Sequence, residues 1–267
     1  MLKISTSGEK GTVPFSAVPF SVVEVVLNRP EARNALDEVT LLELTEFFLK
    51  SPLLKNARVI VLRGNGPDFC AGADIRWMRR AADYPPAKNR KDAQRLLKAL
   101  KAIDECPVPV IARVHGGIYG GGLGLIAASD IVLADENSKM RFSECRLGIL
   151  PSVISSFVLP KIGLSQARRL YLTGEVFGAA FAKEIGLVHE IGASGKIEER
   201  LSQLIKQILL NGPKANRLAK SYLRRLSDLS RTQREKLSID TLVKARSSEE
   251  AKEGLSAFLE KRSPSWA

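Results

Sequence analysis

Apolar positions recur along this chain with two alternating periods. Residues 21–27 (SVVEVVL) are β-branched with one interior charge, and 58–62 (RVIVL) is a short apolar run that ends near Gly64. Both patterns predict strands, the second buried on both faces. Between them Asp37 caps a predicted helix whose apolar positions Leu41, Leu44, Phe47 and Phe48 return at helical spacing. A second helix is predicted over 89–103 from Ala93, Leu96, Leu97, Leu100 and Ile103, and Pro107 and Pro109 end it before a strand at 108–114. Another strand is predicted at 130–134 (DIVLA). Strand, helix and strand in this order predict βαβ units and a parallel sheet.

Between the last two strands Gly116, Gly117, Gly120, Gly121, Gly122 and Gly124 crowd nine positions ahead of an apolar stretch that runs to Ala128. The stretch is too short and too glycine-broken for a membrane span of roughly 20 residues, so it predicts a turn feeding a buried helix. From 165 to 187 the pattern is helix, Gly174, helix, Gly186. Beyond Gly195 the chain turns basic and amphipathic. Leu201, Leu204, Ile205, Ile208 and Leu209 form one helical stripe, Leu218, Tyr222 and Leu226 a second, and Ala251, Leu255, Phe258 and Leu259 a third. The expected division is a core over 1–195 and a helical region over 196–267. Residues 1–15 read as a polar, frayed terminus without the apolar core of a leader sequence, so the expected location is cytoplasmic.

Composition narrows the classes. At 267 residues with 45% hydrophobic and 26% charged positions the chain has the make-up of a folded globular protein. Three widely spaced cysteines, Cys70, Cys106 and Cys145, match neither a disulfide framework nor a zinc spacing, and His115 and His189 have no partner pattern. No metal site is expected. The net charge of +12, concentrated in the C-terminal region, calls for phosphate-bearing ligands. That region offers few aromatics to stack on bases, which argues against a nucleic-acid partner.

Three segments can carry chemistry. Glycines that open a helix expose backbone N–H groups to an oxyanion or a phosphate. A second open turn, 69–75 (FCAGADI), follows a predicted strand, with Asp74 placed to cap the next helix. Two such turns can aim two N–H donors at one carbonyl oxygen. The third segment, 142–151 (FSECRLGILP), sets Glu144 among apolar residues, where burial would raise its pKa and suit it to proton transfer. An ordinary ion pair with Arg146 or another cation is an equally open reading. Gly122, Gly124 and Ala127 also satisfy a relaxed dinucleotide fingerprint, with Glu144 following Gly124 by 20 residues, but the motif is short and sits mid-chain.

Together these residues resemble the enoyl-CoA hydratase/isomerase, or crotonase, superfamily over nearly the whole chain. The markers are LNRPEARNALD at 27–37, FCAGADI at 69–75, HGGIYGGGLGLIAASDIVLA at 115–134, LTGEVFGAAFAKEIGLV at 172–188 and FLEKRSPSW at 258–266. The resemblance implies an α/β fold, the crotonase-like β/α spiral, followed by a C-terminal helical trimerisation region, and assembly as a trimer or dimer of trimers. It implies an acyl-CoA substrate with no separate cofactor. The oxyanion hole maps onto the N–H groups of Ala71 and Gly121, and Glu144 onto the general acid/base. CoA is implied along Ala71, Gly72, Ala73, Asp74 and Ile75, near Arg29 and Arg33, with Lys261 lent by a neighbouring subunit.

One departure matters. The best-known hydratases of the superfamily carry two glutamates, and here the first of those positions is Gly124 while the second is retained as Glu144. The finer pattern, with GGGLGL and FSECRLGILPSVISSFV, is similar to the branch that handles 3-methylglutaconyl-CoA, a step of fatty-acid and leucine catabolism. Arg76, Arg79 and Arg80 are chemically apt to meet the distal carboxylate of such a substrate, with a solvated basic face the competing reading for at least two of them.

Overall fold

The structure, a computed structural model, describes residues 1–6, 21–227 and 229–267. Strand β1 (Leu2–Thr6) lies antiparallel on β2 (Val22–Leu27), from which helix α1 (Glu38–Lys50) leads to β3 (Val59–Gly64). Helices α2 (Ile75–Ala82) and α3 (Pro86–Asp104) lead to β4 (Val110–Val114), then β5 (Gly117–Tyr119), α4 (Gly121–Ala127) and β6 (Ile131–Asp135). After β7 (Lys139–Arg141) come α5 (Ser152–Thr173), β8 (Phe177–Gly178), α6 (Ala179–Glu184) and β9 (Glu190–Gly192). Four helices close the chain: α7 (Ser194–Leu210), α8 (Pro213–Leu226), α9 (Arg231–Arg246) and α10 (Glu249–Leu259). The main sheet has the order β1-β2-β3-β4-β6-β9, all parallel except for β1, and a small sheet has the order β5-β7-β8.

Strand periodicity sorts the core into two layers. Val23, Val25, Ile60, Leu62, Val110, Ala112 and Val132 face the larger core, where α1, α3, α4 and α5 pack. Their neighbours Val22, Val59, Val61, Ile111 and Leu133 face the other way, against Ile197, Leu201 and Ile205 of α7. Thus α7, assigned by the expected division mostly to the C-terminal region, forms the second covering layer of the sheet. Electrostatics fixes it there. Glu198 takes both terminal nitrogens of Arg63 at 2.9 and 2.8 Å and Nε of Arg113 at 2.7 Å, while Arg113, 4% exposed, also donates to Ser194 Oγ.

The helices begin where side chains supply caps. Asp37 accepts the N–H of Thr40 at the start of α1, and Asp74 accepts that of Arg76 at the start of α2. Helix α3 starts at Pro86, three residues ahead of the apolar pattern, because proline suits a first helical turn. Helix α5 also begins earlier than its pattern and bends at Gly163, whose φ of 69° interrupts the helical backbone. One expectation is corrected. Residues 2–6 are not frayed but form β1, held by main-chain pairing with β2 that needs no apolar pattern, while 7–15 lie outside the described residues.

In the C-terminal stripes the outcome is mixed. Leu204, Ile208 and Leu209 pack against the second core layer. In α10, by contrast, Leu255, Phe258 and Leu259 are 62%, 80% and 79% exposed in the single chain.

Candidate active site

The site is assembled from three chain segments that lie far apart in sequence. Cys70 N donates to Gly117 O at 3.2 Å and Tyr119 N to Cys70 O at 2.9 Å, which stitches the turn after β3 to β5. Gly72, at φ +91°, makes the approach possible, since a Cβ there would stand 3.0 Å from the carbonyl oxygen of Tyr119. Leu36, just before α1, bridges the same turn: its N–H reaches Gly72 O at 2.7 Å and its carbonyl accepts Asp74 N at 2.8 Å.

This bridge decides which amides remain open. Because Leu36 takes the groups on either side of Ala73, the N–H of Ala73 itself is left unbonded among the described residues, and so is that of Gly121 at the start of α4. Both residues line one cavity of about 320 Å³. The expected donor Ala71 lines it too, but its N–H is donated to Arg33 O at 2.9 Å. The assignment of Ala71 as oxyanion donor is therefore corrected, with Ala73 as the open amide beside Gly121. Sequence spacing carries no signal for this, because the choice depends on which groups Arg33 and Leu36, far earlier in the chain, satisfy.

Glu144 lines the same cavity, on a 3-10 turn (Glu144–Leu147) after the small-sheet strand β7. Burial pushes its carboxyl above the ordinary glutamate range, opposed only by the backbone N–H groups of Glu144 and Ser143. Its Oε2 is buried without a hydrogen-bond partner, and no cation pairs with it among the described residues. The ion-pair reading with Arg146 thus falls. A Cβ on Gly120, which adopts φ +46°, would lie 3.2 Å from Glu144 Oε1, so the carboxyl sits directly against the open start of α4.

At Gly124 the packing leaves no room for a side chain unless its neighbours move. A Cβ there would meet Ile154 Cγ2 at 2.7 Å and Leu100 Cδ1 at 3.1 Å. Every residue of α4 is buried, which also removes the dinucleotide reading of Gly122, Gly124 and Ala127: these glycines face packed side chains. Much of the rest of the cavity is an apolar wall that includes Leu41, Trp77, Met78 and Leu96, with Ser143 and Ser152 also in its lining. Trp77 is fixed by its indole N–H, which donates to the buried Asp92 at 3.2 Å.

The remaining expected site residues divide. Gly72 and Ile75 line the cavity, and Ile75 also lines an adjoining one of about 310 Å³ together with Arg29, Asp74 and Arg76. Arg29 is largely spent inside the protein, on Asp37 at 2.8 Å, Asp74 at 3.0 Å and the carbonyl of Ala35 at 2.8 Å. Arg33 bonds Asp68, and its side chain is 57% exposed. Arg76, Arg79 and Arg80 are exposed and line no part of the cavity that holds Glu144, Arg80 standing 3.8 Å from Glu38. Lys261, beyond α10, reaches neither cavity within the single chain. Among the described residues no group of His, Cys, Asp and Glu side chains could hold a metal ion, and no helix is long and apolar enough to cross a membrane.

A cavity with two open amides and one desolvated carboxyl can polarise a carbonyl and move a proton at a carbon next to it. Comparison with known proteins agrees with that chemistry. The model of the enoyl-CoA hydratase/isomerase family matches residues 18–267. A putative enoyl-CoA hydratase of Thermus thermophilus is 31% identical over 243 residues, covering 91% of this chain and 96% of the relative. The 2,3-dehydroadipyl-CoA hydratase of Escherichia coli is 33% identical over 247 residues, covering 91% and 94%. Among solved structures, an enoyl-CoA hydratase from Shewanella pealeana superposes with a TM-score of 0.89 at 34% identity, covering 99% of this chain and 95% of its own. Agreement in sequence and in fold over almost the whole length means that this chain belongs to the enoyl-CoA hydratase/isomerase family, within the crotonase superfamily.

Proposed function

We propose that the protein is a hydro-lyase that adds water to, or removes it from, the 2,3 double bond of a branched 2-enoyl-CoA, with 3-methylglutaconyl-CoA the candidate drawn from the sequence. The observation that carries this is a lone desolvated carboxyl, Glu144, in one cavity with two unbonded amides. The thioester oxygen accepts hydrogen bonds from Ala73 and Gly121. Glu144 as carboxylate takes a proton from water while the hydroxyl bonds to C3, and the π pair moves to an enolate held by the two amides. The same carboxyl then delivers its proton to C2, so one glutamate closes the cycle.

CoA runs from the cavity into the adjoining one past Ile75, with Arg33 and Arg76 available for its phosphates and Lys261 supplied by a neighbouring copy. The exposed Leu255, Phe258 and Leu259 support a homo-oligomer, as does the exposed row Ile239, Leu242 and Val243 of α9. A relative that acts on 2,3-dehydroadipyl-CoA favours an acyl group with a second carboxylate. The wall around Glu144 offers no cation for the distal carboxylate of 3-methylglutaconyl-CoA, so between the two the cavity itself favours an uncharged branched acyl group such as 3-methylcrotonyl.

A specific observation keeps isomerisation as the second reading: one carboxyl is enough to shuttle a proton between C2 and C4. Incubation in D2O with 3-methylglutaconyl-CoA, 3-methylcrotonyl-CoA, crotonyl-CoA and a 3-enoyl-CoA, followed by product analysis, separates them. Hydration with deuterium at C2 is expected. A shifted double bond without added water would replace the hydro-lyase reading.

A further inference from the structure

Loss of a second glutamate leaves the reacting water with one protein partner in the mechanism above, and a hydroxyl beside Glu144 offers another. Ser143 precedes Glu144 and lines the same cavity. It occupies the N-cap position of the 3-10 turn, yet its side chain makes no capping hydrogen bond. Its Oγ has no partner among the described side-chain hydrogen bonds, and it is not among the polar atoms sealed from solvent without a partner. A half-buried hydroxyl that neither caps its own turn nor is walled off is free to bond to what the cavity holds.

The other places for that partner are filled or more exposed than Ser143. Gly124 is packed against Ile154 and Leu100. Ser155 is already bonded to Pro151 O and Tyr171, and Ser152, which also lines the cavity, is exposed whereas Ser143 is half-buried. We propose that Ser143 is a further catalytic residue, whose Oγ accepts a hydrogen bond from the water hydrogen that stays on the new hydroxyl while Glu144 takes the other. With both hydrogens held, the oxygen lone pair is directed to C3. No proton passes to Ser143, so the balance of the step is unchanged: one water hydrogen ends on C2 and the hydroxyl on C3. This role rests on the hydro-lyase reading and adds to it a water-holding group.

The test separates holding water from moving a proton. Exchange of the C2 hydrogens of isovaleryl-CoA in D2O needs Glu144 and the amides but no added water, whereas hydration of 3-methylcrotonyl-CoA needs all of them. Ser143→Ala is expected to slow hydration about 10- to 100-fold, the loss of one hydrogen bond made in the transition state, while C2 exchange stays within about twofold of the unmodified protein. Ser143→Thr, which keeps the hydroxyl, should restore most of the hydration rate. Unchanged hydration in Ser143→Ala overturns the proposal, and so does a parallel fall of exchange and hydration, which would mean that Ser143 acts only by placing Glu144. Full hydration by Glu144→Gln is a separate result that sinks the underlying one-carboxyl reading whatever Ser143→Ala does.

Discussion

Adding one methyl group at Gly124 tests why the cavity holds a single carboxylate. In the middle of α4 the Cβ of Gly124→Ala would stand 2.7 Å from Ile154 Cγ2, 3.1 Å from Leu100 Cδ1 and 3.2 Å from Ile154 Cβ. Relaxed carbon contacts lie at about 3.5–4.0 Å. Both neighbours are buried, Ile154 at 2% and Leu100 at 0% exposure, so neither can swing into solvent. Overpacking of this kind costs about 1–3 kcal/mol, and the better helix propensity of alanine returns roughly 0.8–1.0 kcal/mol. The net is a loss of roughly 0–2 kcal/mol in the native background. Ile154→Ala alone should cost about 2–5 kcal/mol through the cavity it leaves. In that background the closest contact is gone, so Gly124→Ala should turn stabilising by up to about 1 kcal/mol. Urea denaturation of the four proteins at one fixed concentration measures this change of sign. If Gly124→Ala stabilises both backgrounds equally, position 124 has room for a side chain and steric exclusion of the second glutamate is refuted.

Other outcomes follow from the same geometry. Glu144→Gln should lower turnover about 10²- to 10⁴-fold. It should also raise thermal stability near pH 8: a carboxyl whose folded pKa is raised contributes stability below the unfolded value, about 4.3, and loses it as pH rises through the folded one. Melting curves from pH 4 to 8 should show the gap to the unmodified protein widening with pH, and a constant gap would contradict the burial of an ionisable Glu144. Glu198 behaves in the opposite sense, because burial pushes its carboxyl up but Arg63 and Arg113 outweigh that and hold it low. Glu198→Ala leaves Arg113 buried without its carboxylate and should cost about 2–3 kcal/mol at pH 7, less than the 3–5 kcal/mol of a fully sealed pair since Glu198 is partly exposed. In denaturation curves that difference should shrink as pH falls through the lowered pKa of Glu198. Arg29→Lys should lower kcat about tenfold with little change in KM, because the guanidinium fork holds the caps of α1 and α2 around Ala73; a rise in KM alone would return Arg29 to CoA binding.

The sequence by itself determined the parallel sheet, the helices that cross between its strands and the place of Glu144, because these depend on local periodicity and on residue types that read the same in any context. Val23 and Val25 point to one layer and Val22 to the other simply by alternation. It also held enough shared motifs to name the family. Only the tertiary structure decided which amide is open, since Ala71 and Ala73 are chemically alike and differ in that Arg33 takes the N–H of one while Leu36 bridges past the other. It decided that Arg29 holds loops together, that α7 is a layer of the core, and that β1 exists, because main-chain pairing and ion-pair partners are satisfied across distances no periodicity records. At Gly124 the sequence showed that a glutamate is missing. The packing of Ile154 and Leu100 opposes any side chain there, through the van der Waals radii of groups brought there by α5 and α3.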